Sequence, residues 1–146
     1  MNVLIADQST TVCRMIRNVL QPAGIPDLFE VTSGSQAVQL ATANGISVIV
    51  AGADLADMSG LELTRTLRKT EEHEHTQVVL ISPKGTPEDV LAAVNAGVNF
   101  YVIEPFDHAL LIRKVEMAIE RARKLEAQTR AKAVSPGKGY KRRQVL

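Results

Sequence analysis

Aromatic side chains are scarce in this chain: Trp is absent, and two Tyr and three Phe make up only 3% of the residues. A flavin ring or an unstacked base is held between flat partners, so this composition argues against a flavin site and against a single-strand stacking platform. Cysteine is scarcer still. Cys13 stands alone, which excludes an internal disulfide, a stapled secreted scaffold and a zinc knuckle, and leaves it a small core or helix-surface role. Long apolar runs are missing too. The longest stretches, such as 46–51 and 101–103, fall far short of the roughly 20 residues that cross a bilayer. The opening Met1-Asn2-Val3-Leu4-Ile5-Ala6-Asp7 has no basic region before its short apolar run. It does not read as a signal peptide, and a cytoplasmic address is expected. Neither G-x-G-x-x-G nor a P-loop occurs, which removes the commonest nucleotide-binding signatures.

What is present divides by charge. The net charge of +1 conceals a body, residues 1–119, with 8 Lys+Arg against 14 Asp+Glu, and an end, residues 120–146, with 9 against 2. The first part carries −6 and the second +7. With 146 residues in all, one domain plus a tail is expected. We place the domain at 1–125 and a basic tail or linker at 126–146, because the stretch from Ser135-Pro136-Gly137-Lys138-Gly139 to the end of the chain has turn composition and little to bury. Clustered cations suit polyanions, but Tyr140 is the tail's one aromatic. A linker or arm is therefore expected ahead of a nucleic-acid site or a membrane contact.

The body alternates two kinds of segment. Short apolar runs at 2–6, 28–31, 46–51, 77–82 and 100–103 read as buried strands. Between them lie helical patterns with start signals. Ser9 or Thr10 can cap the first, Ser33 to Ser35 lead into the second, Leu63 and Leu67 mark the third, and Thr86-Pro87-Glu88-Asp89 opens the fourth. A fifth follows Asp107, with Leu111, Val115 and Ala118 forming a stripe toward residue 125. Five apolar strands alternating with five helices define an α/β, doubly wound parallel sheet covered on both faces. Its ligand or reaction site is expected at the carboxyl ends of the strands.

Several stretches, in this order, resemble the receiver domain of two-component response regulators, closest to the single-domain chemotaxis type. They are Val3-Leu4-Ile5-Ala6-Asp7 with residues 14–20 behind it, Met58-Ser59-Gly60-Leu61-Glu62-Leu63, Ala92-Ala93-Val94-Asn95-Ala96-Gly97, and Tyr101-Val102-Ile103-Glu104-Pro105-Phe106. The resemblance covers residues 2 to about 124. It implies a flavodoxin-like (βα)5 fold with strand order 2-1-3-4-5, a cis peptide between Glu104 and Pro105, and a histidine kinase or output protein as partner. It also implies a pocket in which an aspartate ending strand three accepts a phosphoryl group, Mg²⁺ is held by acids after strand one, a lysine after strand five pairs with the product, and a Ser/Thr after strand four senses it.

This chain departs from that pattern. Counting back from Gly60 puts Gly52 at the acceptor position. Asp7 matches the first acid after strand one, Gln8 replaces the second, Glu104 stands where the family has lysine, and Ser82 is retained. Fewer anionic ligands weaken a divalent-ion site, so Asp7 is read as vestigial, no resident metal or cofactor is expected, and any Mg²⁺ interaction is weak. The resulting expectation is a pseudo-receiver, a non-enzymatic module that binds partners. Its contact face, by the same resemblance, holds Val90, Tyr101 and Lys114, with a dimer through helix four, strand five and helix five as one form.

Alternatives remain at particular residues. Asp54 or Asp57 could be a displaced phosphoacceptor, against a plain reading as turn acids. Asp7, Asp54 and Glu104 could gather around an ion, or Asp7 could bind backbone amides while Glu104 pairs with Lys84 or faces solvent. Tyr101 could be a rotameric switch, or an edge tyrosine with its hydroxyl in water. His73 and His75 are expected in a solvated charged loop, and a nucleic-acid or small-ligand module is the remaining rival.

Overall fold

The computed structural model describes residues 2–25 and 27–134. Five strands, β1 (Asn2–Ala6), β2 (Leu28–Val31), β3 (Ile46–Gly52), β4 (Gln77–Ser82) and β5 (Phe100–Ile103), form one parallel sheet in the order β2-β1-β3-β4-β5. Five helices connect and follow them: α1 (Thr10–Leu20), α2 (Gly34–Asn44), α3 (Gly60–Arg68), α4 (Pro87–Ala96) and α5 (His108–Val134). The α/β fold and strand order expected from the sequence are those observed, and the Glu104–Pro105 peptide is cis.

Alternation within the strands divides the core. Val3, Ile5, Val48, Val50, Val79, Ile81 and Val102 point to one face, where Ile16 and Leu20 of α1 and Leu111, Val115 and Ala118 of α5 cover them. Leu4, Ala6, Ile49, Ala51, Val78 and Leu80 point to the other, under Ala37 and Ala41 of α2, Leu63 and Leu67 of α3 and Ala93 of α4. Every residue of β3 and β4 is buried. That is why these strands read as continuous apolar runs and not as half-polar alternations.

Helix starts follow the capping residues. The Ser9 and Ser33 hydroxyls accept from the amides of Val12 and Gln36 at 3.2 and 3.1 Å, while Ser59 with Glu62 and Thr86 with Asp89 form reciprocal capping boxes. Two segments differ from expectation. The residues around His73 form a 3-10 turn (Glu71–His73), and His73 is buried, its Nε2 3.0 Å from Thr42 Oγ1. Burial of an imidazole in this turn is not visible in a run of charged neighbours; His75 is exposed, as expected. α5 continues past residue 125, where we placed the domain boundary, to Val134. Its buried stripe ends at Ala122 and half-buried Leu125. Beyond that, the helix is carried by good helix formers and by a 2.9 Å hydrogen bond from Ser47 Oγ to Glu126 Oε2. Residues 135–146 of the expected tail lie outside the described residues.

Arg68 ties one corner of the fold together. Its guanidinium donates to the Gly97 carbonyl from Nε at 3.1 Å and from Nη2 at 2.9 Å, to the His73 carbonyl at 2.8 Å and to Asn99 Oδ1 at 2.8 Å. Gly97 ends α4 at φ 104°, a backbone that a side-chain-bearing residue rarely adopts. Asn99 Oδ1 also accepts from the Val78 amide at 2.8 Å. One cation thus satisfies carbonyls of two separate turns beside the start of β4. Arg68→Ala is expected to cost about 3 kcal/mol, since it leaves several partly buried acceptors unpaired. Urea unfolding should show a lower midpoint at an unchanged slope; an unshifted midpoint would remove this role.

Candidate functional site

The strand registers bring the sequence-selected positions to one edge. Ala6 lies beside Ala51, Gly52 beside Ile81, and Ser82 beside Ile103. The residues at or just past these ends, Asp7, Gly52, Ser82 and Glu104, therefore meet at the carboxyl edge of the sheet. There a cavity of about 260 Å³ is lined by acids and polar groups (Asp7, Gln8, Ser9, Asp54, Glu104) and by an apolar wall of Val12, Ile16, Ile81, Pro83 and Phe106. Among the described residues no Lys or Arg lines it.

The side-chain space at Gly52 is taken. A Cβ added to Gly52 would lie 2.1 Å from Asp7 Oδ2 and 3.1 Å from Asp7 Cγ, so the carboxylate of Asp7 in this rotamer stands where a side chain at 52 would begin. Asp7 is held there by the Ser9 amide, which donates to Oδ1 at 2.9 Å. Partial burial raises its pKa above the ordinary 3.8; the Ser9 hydrogen bond opposes the shift, and the nearby Asp54 anion adds to it.

The other candidates separate. Asp54 is exposed at the cavity rim, and its carbonyl accepts from the Gln8 amide at 3.3 Å. Asp57 is elsewhere: its carboxylate accepts from the amides of Gly34 at 2.6 Å and Ser35 at 3.2 Å, at the start of α2. These bonds hold its pKa below the usual carboxylate value, and as an acceptor of phosphate at the cavity it is misplaced. Glu104 is exposed and makes no ion pair among the described residues, Lys84 included. The buried Ser82 Oγ accepts from the Lys84 amide at 3.1 Å, and the Tyr101 hydroxyl donates to the Lys84 carbonyl. That hydroxyl is thus bonded to backbone, where the sequence suggested water. Cys13 is buried, with Sγ 3.6 Å from the carbonyls of Asp7 and Val31.

The donor set does not suit Mg²⁺. Asp7 is the one carboxylate held close to Gly52, Gln8 is neutral, and among the described residues no three His, Cys, Asp or Glu side chains come together as a metal group. The same holds for His73 and His75, of which only the second is exposed.

Val90, Tyr101 and Lys114, expected on a contact face, are each half-buried. Sequence reasoning missed the most exposed apolar residues of α4, β5 and α5, Leu91 and Val94 at 59%, Met117 at 46% and Ile103 at 45%. The signal was present in α4, where Leu91 and Val94 stand three apart and off the stripe formed by Ala93 and Ala96.

A parallel five-stranded sheet with a cavity at its carboxyl edge is an architecture that serves many functions, and similarity specifies the family. The response regulator receiver domain family matches residues 3–116. The chain is 32% identical over 117 residues to a chemotaxis protein CheY homolog of Campylobacter jejuni, covering 80% of this chain and 90% of that one. It is 30% identical to chemotaxis protein CheY of Pseudomonas aeruginosa, covering 83% and 98%. The solved receiver domain of Francisella response regulator 1452 superposes with a TM-score of 0.75 at 27% identity, covering 82% and 97%. The chain belongs to the response regulator receiver family, the signalling module of two-component systems. Among the described residues no helix is long and apolar enough to cross a membrane.

Because the fold raises the pKa of Asp7, ionising it costs stability. That penalty is absent below 3.8, grows as pH rises through the shifted value, and is full at neutral pH. Asp7→Asn keeps an acceptor for the Ser9 amide without the charge. The variant should melt higher than the wild type at pH 7, with the difference shrinking toward pH 4; an equal or lower melting temperature at pH 7 would contradict this account.

Proposed function

We propose that this receiver signals by protein association and not by phosphoryl transfer to an aspartate. The observation that carries the reading is Gly52 at the end of β3 with the Asp7 carboxylate in its side-chain space. Gly52 offers no nucleophile where the family's acceptor falls in the count from Gly60. Glu104 compounds the loss, because an anion in place of the lysine repels a phosphoryl group; two unit charges 4 Å apart differ from neutrality by about 4 kcal/mol at an effective dielectric of 20. Loss of acceptor, of one metal-binding acid and of the cation are mutually consistent, since each removed group served the others.

The partner is a histidine kinase, an output protein or a second copy, met in the cytoplasm on the face of α4, β5 and α5. Leu91, Val94 and Ile103 supply the exposed apolar area, and Val90, Tyr101 and Lys114 flank it. Association on such a face is driven by apolar burial, which needs no charge switch in the cavity.

Incubation with acetyl phosphate and Mg²⁺ is expected to leave the intact mass unchanged. Gly52→Asp alone should also stay unmodified, whereas combining it with Gln8→Asp and Glu104→Lys should add one phosphoryl group. A phosphoryl adduct on the wild type that disappears in Asp54→Asn would overturn the proposal and make Asp54 the acceptor.

A further inference from the structure

Past Leu125 the helix α5 runs nine more residues to Val134, about 13 Å at 1.5 Å per residue. It carries the opposite charge to the body. Arg121, Arg123, Lys124, Arg130 and Lys132 are all exposed, and none forms an ion pair among the described residues. Of the segment's two acids, Glu126 is engaged by the Ser47 hydroxyl at 2.9 Å, and Glu120, six residues before it, is exposed. The sequence continues the charge with Lys138, Lys141, Arg142 and Arg143.

We infer that this basic arm is a docking surface for duplex DNA, binding backbone phosphates without reading bases. At 100° per residue, Arg121, Lys124 and Lys132 fall on one flank of the helix, and Arg123 and Arg130 fall together on roughly the opposite flank. A helix lying in the major groove has a phosphate wall on each side, and cations on two flanks meet both. An anionic membrane fits less well, because a surface-lying helix presents a bulky apolar face; between Leu125 and the end of α5 the apolar residues are Ala127, Ala131, Ala133 and Val134. Single strands fit less well for want of aromatic side chains to stack on. The linker reading drawn from the sequence assumed a helix ending near residue 125, with nothing to present these cations in a fixed array.

The body's −6 does not veto the contact. Lys132, about 10 Å beyond Leu125, lies past the screening length of about 8 Å at physiological salt and is largely shielded from the body's repulsion, and Arg130 stands close to that distance.

The test is anisotropy of a short fluorescent duplex titrated with the full chain. Five phosphate contacts give a slope of log K against log salt of about −4.5, which is roughly a 500-fold loss of affinity between 50 and 200 mM salt. The triple variant Arg123→Gln, Arg130→Gln, Lys132→Gln keeps good helix formers. It should retain the helical circular dichroism of the wild type and flatten the slope by about 2.7. No binding at 50 mM salt, or an unchanged slope in the folded variant, overturns the inference. So does equal binding to polyglutamate or to phosphatidylserine vesicles, which would make the arm a general polycation or a membrane contact.

Discussion

A parallel sheet buried on both faces can show polar chemistry only where its strands stop. β3 and β4 are buried along their whole length, and β1 from Val3 to Ala6. Crossover helices occupy both sides, so the loops at the carboxyl edge are what remains to hold charged groups. The register then brings residues 7, 52, 82 and 104, far apart in sequence, to the same edge of the sheet. What chemistry this edge can carry depends on what stands at those four places.

Three of them carry oxygen and one carries nothing. With no side chain at 52, the carboxylate of Asp7 settles into the free volume, where partial burial and Asp54 disfavour its charge. The neighbouring loop is organised independently of any phosphate: Ser82 and Tyr101 both hold the backbone of Lys84, one at its amide and one at its carbonyl. Asp57, for its part, serves the start of α2. Asp7 and Asp57 are thus each engaged by backbone amides, at two separate places, while Asp54 and Glu104 are exposed.

The architecture was legible because its signals are local and redundant: apolar runs for strands, Ser or Thr caps with acids three residues on, and glycines after helices. Gly52, Gln8 and Glu104 were legible by position because the family pattern is dense around them. What stayed hidden depends on tertiary partners. The bonds of Asp57 to Gly34 and Ser35 span 23 and 22 residues, and the Tyr101 hydroxyl finds a carbonyl 17 residues away; neither has a one-dimensional signature. The burial of His73 beside Thr42 is of the same kind. The end of α5 was misjudged for a different reason, since the apolar stripe stops at Leu125 while helix propensity carries the helix on.

The Arg68 fork gives α4 a fixed end. Its C-terminal carbonyl at Gly97 is gripped by two of the guanidinium's nitrogens, whereas the loop before Pro87 is held by the two bonds to Lys84. The helix is then a lever with its fulcrum at Gly97. Ten residues make a rod about 15 Å long, so a rotation of about 10° displaces its Pro87 tip by roughly 2.6 Å. Leu91 and Val94 lie partway along that rod, between its anchored end and its capped one.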